Sequence, residues 1–350
     1  MHPTSAGLRA RSCSVPISTA DAQAVASQSD VTLATLRSAR NVDAANAKQY
    51  SLPRTLRGYY NFAVSFLRAQ KQCLSMADAD AKFLPRLLAS EAALHPGMRL
   101  SQHRSPWALV EYMRQRCHLP DAEGREQGIV NMGPDGIHFA AFDLAIRAGQ
   151  PSLILIEPGS MNTGGGARLA YRLGRAMARL APQGQDWPHR SLMIFETQTQ
   201  QSEVDCGMFS LATSKTMFEE SGAFESLHTR LRMGEFDKVS AFDPFPLEKS
   251  DELLPPSIMR HTQSRARLNI YAVRHACANE RAIAAMPALL DYQSALTFAR
   301  GDRSYSVSIE FERIKVAGRA LPPSLESLGD TFLQDSGDDV PLPAGLGHRP

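Results

Sequence analysis

The stretch Ser152-Leu153-Ile154-Leu155-Ile156 is a short apolar run that ends at Glu157. Its length and its branched side chains favour a β-strand buried in a protein core. A carboxylate directly after such a strand either is solvated at the strand end or belongs to a functional site. The run therefore predicts a sheet, and Glu157 becomes a candidate functional residue at its edge.

The segments around this strand predict a mixed α+β core. Short apolar runs with turn residues between them predict three more strands, at 128–132, 137–142 and 192–195. Turn residues over 133–136 join the first two of these strands, which favours a hairpin. Apolar residues at helical spacing predict helices over 164–181 and 206–220.

Composition changes divide the chain further. We expect a helical piece over 261–275, whereas several prolines favour a loop over 240–257. The predicted organisation is a leader over 1–45, an N-terminal helical segment over 46–110, a core over 111–240, a C-terminal segment over 241–320 and a flexible tail over 321–350.

Composition also excludes several classes of protein. The 350 residues are 43% hydrophobic and 21% charged, which is enough apolar material for an ordinary core. The sequence has no apolar stretch near the roughly 20 residues of a membrane-spanning helix. A formal charge of only +2 does not call for a nucleic-acid partner. The five cysteines are scattered without a CxxC pair, so we predict neither a disulfide framework nor a metal site.

Cys206 is the candidate nucleophile. A polar, loop-like segment precedes it and helical apolar spacing follows it, which places it at a helix N-terminus. The unpaired N–H groups and the dipole at such a terminus favour a thiolate. A lone cysteine is more often a small buried apolar residue, so the interpretation depends on its partners.

His138 and Glu157 are the candidate partners of Cys206. A histidine beside a thiol can accept its proton, and a carboxylate on the other ring nitrogen stabilises the imidazolium. Adjacent strands can bring both residues to one edge of a sheet. Gln200 stands six residues before Cys206, where its amide could stabilise an oxyanion together with the Cys206 N–H. Taken singly, His138 and Glu157 also fit a structural histidine and a solvated carboxylate.

Three consecutive glycines, Gly164 to Gly166, follow Asn162 and Thr163. Such a run before a helix can hold a phosphate, but the Gly-Lys-Ser/Thr of a P-loop is missing. We therefore interpret it as a flexible turn.

Three blocks stand in the order Asn131 to Phe139, Ser152 to Pro158 and Asp205 to Ser210, with further matches at Asp80 to Pro85 and at His261 to Leu268 and a weaker one at Ser306 to Ile314. On these residues the chain resembles the YopJ family of bacterial type III effectors. The order His, Glu, Gln, Cys is also that of the clan of cysteine peptidases that includes SUMO proteases and adenain.

The resemblance implies a cysteine-protease-like core with a mixed sheet and flanking helices. It also implies a small helical regulatory region built from the N-terminal and C-terminal segments. The implied activity is transfer of acetyl from acetyl-CoA to Ser, Thr or Lys of host signalling or immune-related proteins, with an acetyl-Cys206 intermediate in a ping-pong mechanism. The implied location is the host cytoplasm or nucleus, after type III secretion.

The resemblance further implies activation by inositol hexakisphosphate, a polyanion that needs converging cations. The residues that match the family's motifs are Lys82, Arg260, His261, Arg265, Arg267 and Arg313. The sequence does not locate the acetyl-CoA pocket, and it does not reveal the oligomeric state.

Two alternative functions remain open from the sequence. The same triad would serve a peptidase that removes ubiquitin-like modifiers, because both reactions pass through an acyl-thioester. A noncatalytic module that binds a host protein is the other alternative.

Overall fold

The computed structural model describes residues 51–69, 74–119, 123–133, 137–162, 164–180, 191–236, 243–278, 286–300 and 303–322. The predicted leader over 1–45 and the part of the predicted tail from 323 onward lie outside the described residues.

Five strands form one mixed sheet in the order β1-β2-β3-β4-β5. These strands are β1 (Leu100–His103), β2 (Gly124–Asn131), β3 (Phe139–Arg147), β4 (Gln150–Glu157) and β5 (Leu192–Glu196). The central strands β2, β3 and β4 are antiparallel, whereas β1 runs parallel to β2 and β5 runs parallel to β4. Because β4 and β5 are parallel, their carboxyl ends meet at one edge, where Glu157 pairs with Glu196.

Both faces of the sheet are covered, which explains the uninterrupted apolar run that the sequence shows in β4. Leu153 and Leu155 point into a core shared with helices on one face, and Ile154 and Ile156 point into a core on the other face. Side chains alternate between the two faces of a strand, so a strand with two buried faces needs apolar residues at every position.

The β3–β4 hairpin turns through two residues with positive φ, Ala148 at 50° and Gly149 at 71°. Arg147 and Gln150 pair on either side of this turn. A two-residue connection of this kind matches the twist of the strands and requires left-handed backbone at both positions, which glycine adopts without strain.

Ten α-helices occur in the described part of the chain. They are α1 (Leu56–Ala69), α2 (Leu74–Leu94), α3 (Pro106–Arg116), α4 (Gly164–Leu180), α5 (Cys206–Glu219), α6 (Ser221–Met233), α7 (Leu247–Leu253), α8 (Arg265–Ala278), α9 (Met286–Ala295) and α10 (Ser308–Arg319). A 3₁₀ helix spans Pro256–Met259, and a separate hairpin consists of β6 (Thr297–Arg300) and β7 (Arg303–Ser306).

Helix α5 lies at the centre of the molecule. One side of α5 packs on β2 and β3, and another side contacts α2 and α10. Helices α1, α2 and α10 share an apolar core with α5 that includes Tyr59, Leu84, Phe209 and Ile309. The N-terminal helices α1 and α2 and the C-terminal helix α10 therefore pack together against α5, the helix that begins with Cys206.

The predicted α+β class with a mixed sheet and flanking helices is confirmed. The strands at 128–132 and 192–195 and the helices at 164–181 and 206–220 are present within a few residues of their predicted bounds. Residues 134–136 of the predicted turn lie outside the described residues, but the β2–β3 pairing of the hairpin is present.

Two local predictions need correction. The third strand begins at Phe139, so His138 lies just before the strand and not on it. The loop predicted over 240–257 contains α7 and the start of the 3₁₀ helix, because the prolines there stand before the helices and do not interrupt them. The predicted domain boundaries stay predictions. No described helix has the length and apolarity that a membrane crossing requires.

Candidate active site

Glu157 is fully buried at the end of β4 and holds His138. Its Oε2 lies 2.7 Å from Nε2 of His138, and its Oε1 accepts a hydrogen bond of 2.8 Å from the N–H of Gly159. Both carboxylate oxygens therefore have a donor, which fixes the orientation of the carboxylate and allows its burial.

The backbone of His138 is held by the end of β2. Its carbonyl accepts a hydrogen bond of 2.8 Å from the N–H of Met132, and its own N–H lies 3.4 Å from Oδ1 of Asn131. Because Nε2 is directed at Glu157, Nδ1 is the nitrogen left to act on another group.

Cys206 is the first residue of α5 and is 3% exposed. Its sulfur lies close enough to the His138 side chain to affect the pKa of this histidine. Burial disfavours the charged imidazolium, but the Glu157 carboxylate and the Cys206 sulfur outweigh it and raise the pKa of His138 to about 10. The structure thus brings Cys206, His138 and Glu157 together from three distant parts of the sequence.

Gln200 lies in the loop between β5 and α5. Its Nε2 donates a hydrogen bond of 2.6 Å to the carbonyl of Ser202, and its buried Oε1 has no hydrogen-bond partner among the described residues. In this conformation one amide hydrogen is directed at the loop itself. The proposed oxyanion role therefore requires the second amide hydrogen or a turn of the side chain, and it stays a prediction.

Gln263 holds this loop from the C-terminal segment. It lies in the motif block from His261 to Leu268, but the sequence analysis did not include it among the site residues. The side chain is buried, and its Oε1 accepts hydrogen bonds of 2.6 Å from the N–H of Gln201 and 2.9 Å from that of Ser202. Its Nε2 lies 3.3 Å from Oδ2 of Asp205, the residue before Cys206. One amide therefore positions both the loop and the start of α5.

Arg313 links the same aspartate to the N-terminal helices. It is 2% exposed and forms ion pairs with Asp205 and with Asp80 of α2, the latter at 2.8 Å. The Tyr59 hydroxyl donates a further hydrogen bond of 2.6 Å to Asp80. Helices α1, α2 and α10 thus converge on the residue that precedes Cys206.

Arg267 is also buried in contacts of its own. Its guanidinium forms a two-bonded ion pair with Asp251, and its Nε donates a hydrogen bond of 2.8 Å to the carbonyl of Thr197. Arg267 and Arg313 were both predicted to contact a polyanion, yet each has a carboxylate partner and little exposed surface. Their spacing in the sequence could not reveal these partners, because Asp80 lies far from Arg313 in the chain.

The other four predicted cations are nearer the surface. Lys82 and Arg260 are exposed, and Arg265 is half-buried with its guanidinium on the carbonyl of Leu290. Burial and the charges of Arg260, Lys315 and Lys215 together lower the pKa of His261 to about 4, although the Glu312 carboxylate acts in the opposite direction. Lys215 of α5 and Lys315 of α10 are therefore neighbours of this cluster, which the sequence analysis did not include.

A second arrangement of Ser, His and Asp lies elsewhere in the core. Ser152 Oγ is 2.8 Å from Nδ1 of His228, whose Nε2 is 3.1 Å from Oδ1 of Asp143. All three residues are fully buried, and Arg125 pairs with the same aspartate. Burial lowers the pKa of His228, and the fully buried serine has no surface that a substrate could reach. We interpret this group as structural.

The described residues contain no cluster of His, Cys, Asp or Glu that could hold a metal ion. An imidazole paired with a buried carboxylate beside a cysteine at a helix N-terminus can perform nucleophilic acyl transfer.

The comparison with protein families agrees with this chemistry. The family model of the YopJ serine/threonine acetyltransferases matches residues 56–319. The chain belongs to this family.

Individual relatives show the same relationship. The serine/threonine-protein acetyltransferase YopJ of Yersinia pestis is 31% identical over 192 residues, which cover 55% of this chain and 64% of that protein. HopZ1a of Pseudomonas syringae pv. syringae, another serine/threonine-protein acetyltransferase, is 23% identical over 180 residues, covering 51% of this chain and 48% of HopZ1a. The matched region thus spans less than two thirds of either relative.

Solved structures share the fold. AvrA delL154 with IP6 and CoA has a TM-score of 0.65 at 24% identity and covers 77% of this chain and 98% of that one. HopZ1a in complex with IP6 has a TM-score of 0.61 at 18% identity, with 78% and 93% covered. The predicted family and its core fold are therefore confirmed.

Proposed function

We propose that this YopJ-family protein is an acetyltransferase that moves acetyl from acetyl-CoA to Ser, Thr or Lys side chains of host proteins through an acetyl-Cys206 intermediate. The observation that carries the proposal is the buried pair of His138 and Glu157, 2.7 Å apart, beside Cys206. The family membership and the relatives named as acetyltransferases support acetyl as the transferred group.

In the first half-reaction the imidazolium form of His138, which its raised pKa favours, lies beside the Cys206 thiolate, and this sulfur attacks the acetyl carbonyl. The carbon–sulfur bond to CoA breaks, and the CoA thiolate takes the proton from Nδ1 of His138. Glu157 stabilises the imidazolium in between, since its carboxylate lies against Nε2. The N–H groups at the start of α5 face the developing oxyanion, with the amide of Gln200 as a second donor.

In the second half-reaction the acceptor hydroxyl or amine gives a proton to the same nitrogen of His138 and attacks acetyl-Cys206. The carbon–sulfur bond to Cys206 breaks, and the proton returns from His138 to the sulfur. One imidazole thus serves both steps, which a ping-pong mechanism requires.

Inositol hexakisphosphate is the proposed activator, as the solved neighbours with IP6 suggest. The cations available for direct contact are Lys82, Arg260 and Arg265, together with Lys215 and Lys315 near His261. Arg267 and Arg313 would act through their ion pairs, by tying the C-terminal segment to the loop before Cys206. Host signalling or immune-related proteins are the proposed acceptors, reached after type III secretion into the host cell.

The experiment uses radiolabelled acetyl-CoA with inositol hexakisphosphate and follows label on the protein and release of CoA. We expect label on Cys206 in the unmodified protein, and we expect Cys206→Ala to transfer no label to an acceptor. Cys117→Ala is the matched control, because Cys117 is a free and partly exposed thiol outside the site. Label transfer that persists in Cys206→Ala would contradict the mechanism. Cleavage of a ubiquitin-like substrate without acetyl transfer would favour the peptidase alternative.

A further inference from the structure

Helix α4 begins with the three glycines Gly164 to Gly166, and its first turn lies against the pair of His138 and Glu157. A Cβ atom built on Gly165 would lie 2.7 Å from both Cγ and Nδ1 of His138 and 3.1 Å from its Cε1. These distances are far shorter than the roughly 3.5–4.0 Å of a favourable contact between carbon atoms. Only a residue without a Cβ allows the helix to approach the imidazole this closely.

The neighbouring glycines differ sharply from Gly165. A Cβ on Gly166 would lie 3.2 Å from Cδ of Glu157 and 3.2 Å from the carbonyl oxygen of Ser160, a tight contact that is less severe than the one at Gly165. A Cβ on Gly164 would have no atom of the described residues within 4 Å. The requirement for glycine is therefore strongest at the position that touches the imidazole, although all three residues are in the same helical turn.

The imidazole is restrained both at its ring nitrogen Nε2 and through the backbone of His138. Its Nε2 is bonded to Glu157, and Oε1 of that carboxylate is bonded to the N–H of Gly159. The backbone of His138 is bonded to Met132. A displacement of the ring by a methyl group at 165 would therefore lengthen the contact with Glu157, the contact with Cys206, or both.

We propose that Gly165 is a positioning residue, whose missing side chain lets the first turn of α4 hold the His138 ring in line between Glu157 and Cys206. The inference rests on the proposed function for its catalytic consequence, whereas the packing itself is independent of it. The glycine run, which we interpret as a flexible turn from the sequence, is thus the first helical turn of α4 and packs against His138.

The packing is tested by a double-mutant cycle on thermal stability. We expect Gly165→Ala to lower Tm in the unmodified protein but not in His138→Ala, because that change removes the three atoms that lie nearest to the new methyl group. Gly164→Ala is the matched control and should keep or raise Tm in both backgrounds, since alanine favours a helix over glycine. Equal losses of Tm for Gly165→Ala in both backgrounds would overturn the proposal, including the case in which neither variant folds.

The positioning is tested by two further readouts. NMR of histidine Cε1 should show the pKa of His138 falling toward its ordinary value in Gly165→Ala and unchanged in Gly164→Ala. Acetyl transfer should fall in kcat by roughly 100-fold with little change in KM for acetyl-CoA, as expected for a catalytic group moved by about 1 Å. An unchanged pKa of His138 in Gly165→Ala would refute positioning. Absence of acetyl transfer from the unmodified protein, with the cycle and the pKa shift as expected, would instead refute the proposed function alone.

Discussion

At the scale of single residues, the site depends on the hydrogen bond between the His138 imidazole and the Glu157 carboxylate. The carboxylate of Glu157 has no exposed surface, and its two oxygens are bonded to His138 and to the N–H of Gly159. A buried carboxylate without such partners would lower the stability of the folded protein, so loss of His138 would leave the charge of Glu157 uncompensated. The raised pKa of His138 follows from this arrangement and links catalysis to stability.

The pH dependence of stability should reveal the pair. In the unfolded chain His138 loses its proton near 6.5, and in the folded protein it keeps the proton up to about 10. Its contribution to stability is therefore fully present below pH 6.5 and is lost as the pH rises toward 10. We expect Glu157→Gln to lower Tm most near pH 6 and least near pH 10, measured by thermal unfolding.

His138→Gln provides the control for this measurement. In that background the effect of Glu157→Gln should no longer change between pH 6 and pH 10, because the titrating partner is absent. A difference in Tm that is the same at every pH in the unmodified protein would contradict the assignment of His138 as the protonated partner.

At the scale of secondary-structure elements, the start of α5 is held by groups from both ends of the described chain. Asp205 precedes Cys206, and its carboxylate contacts Arg313 of α10, Gln263 and Ser202. This carboxylate forms no side-chain cap on its own helix. It therefore links helix α10 to the loop that precedes α5, and we call Asp205 with these three partners the joint.

Loss of Arg313 should therefore weaken the whole joint. Arg313→Gln leaves Asp80 and Asp205 buried without their cation, and we expect a loss of about 3–5 kcal/mol in the free energy of unfolding. Urea unfolding measures this loss. Lys315→Gln on the same helix is the control, because Lys315 is exposed and should change stability by about 0.5 kcal/mol or less. Similar effects of the two substitutions would show that the buried network is not a joint.

At the scale of the whole molecule, the helical segments and the sheet core meet on α5. Arg260 and Lys315 are exposed beside His261, whereas the buried Arg267 and Arg313 pair with carboxylates. A polyanion on the outer cations would draw α10 and the 260–265 segment together, and the inner arginines would carry that order to the loop before Cys206.

Inositol hexakisphosphate should accordingly raise Tm, because a ligand that binds only the folded protein stabilises it by about 2.7 kcal/mol at 100 times its Kd. We expect binding heat in calorimetry to weaken with added salt and to fall strongly in the double variant Arg260→Ala with Lys315→Ala. Glu252→Ala, an exposed residue of α7 paired with Lys249, serves as the control. Binding that is unaffected by loss of the two cations would place the polyanion elsewhere.

The sequence alone determined the parts of this protein that depend on local patterns. A short uninterrupted apolar run predicted β4, and helical apolar spacing predicted α4 and α5, because both patterns depend on residues that are close together in the chain. The residue types and their order predicted Cys206, His138 and Glu157 as one site, and the motif blocks predicted the family. The third strand begins two residues later than predicted. The predicted loop over 240–257 contains α7, because proline is common both in loops and at the start of helices.

Only the tertiary structure decided which partners the charged and small residues have. Arg267 and Arg313 look like free cations in the sequence, yet Asp251 and Asp80 neutralise them in the core. Gly165 looks like a turn, yet it contacts an imidazole 27 positions earlier in the chain. The physical reason is that ion pairing and close packing depend on distance in space, which a local pattern does not encode.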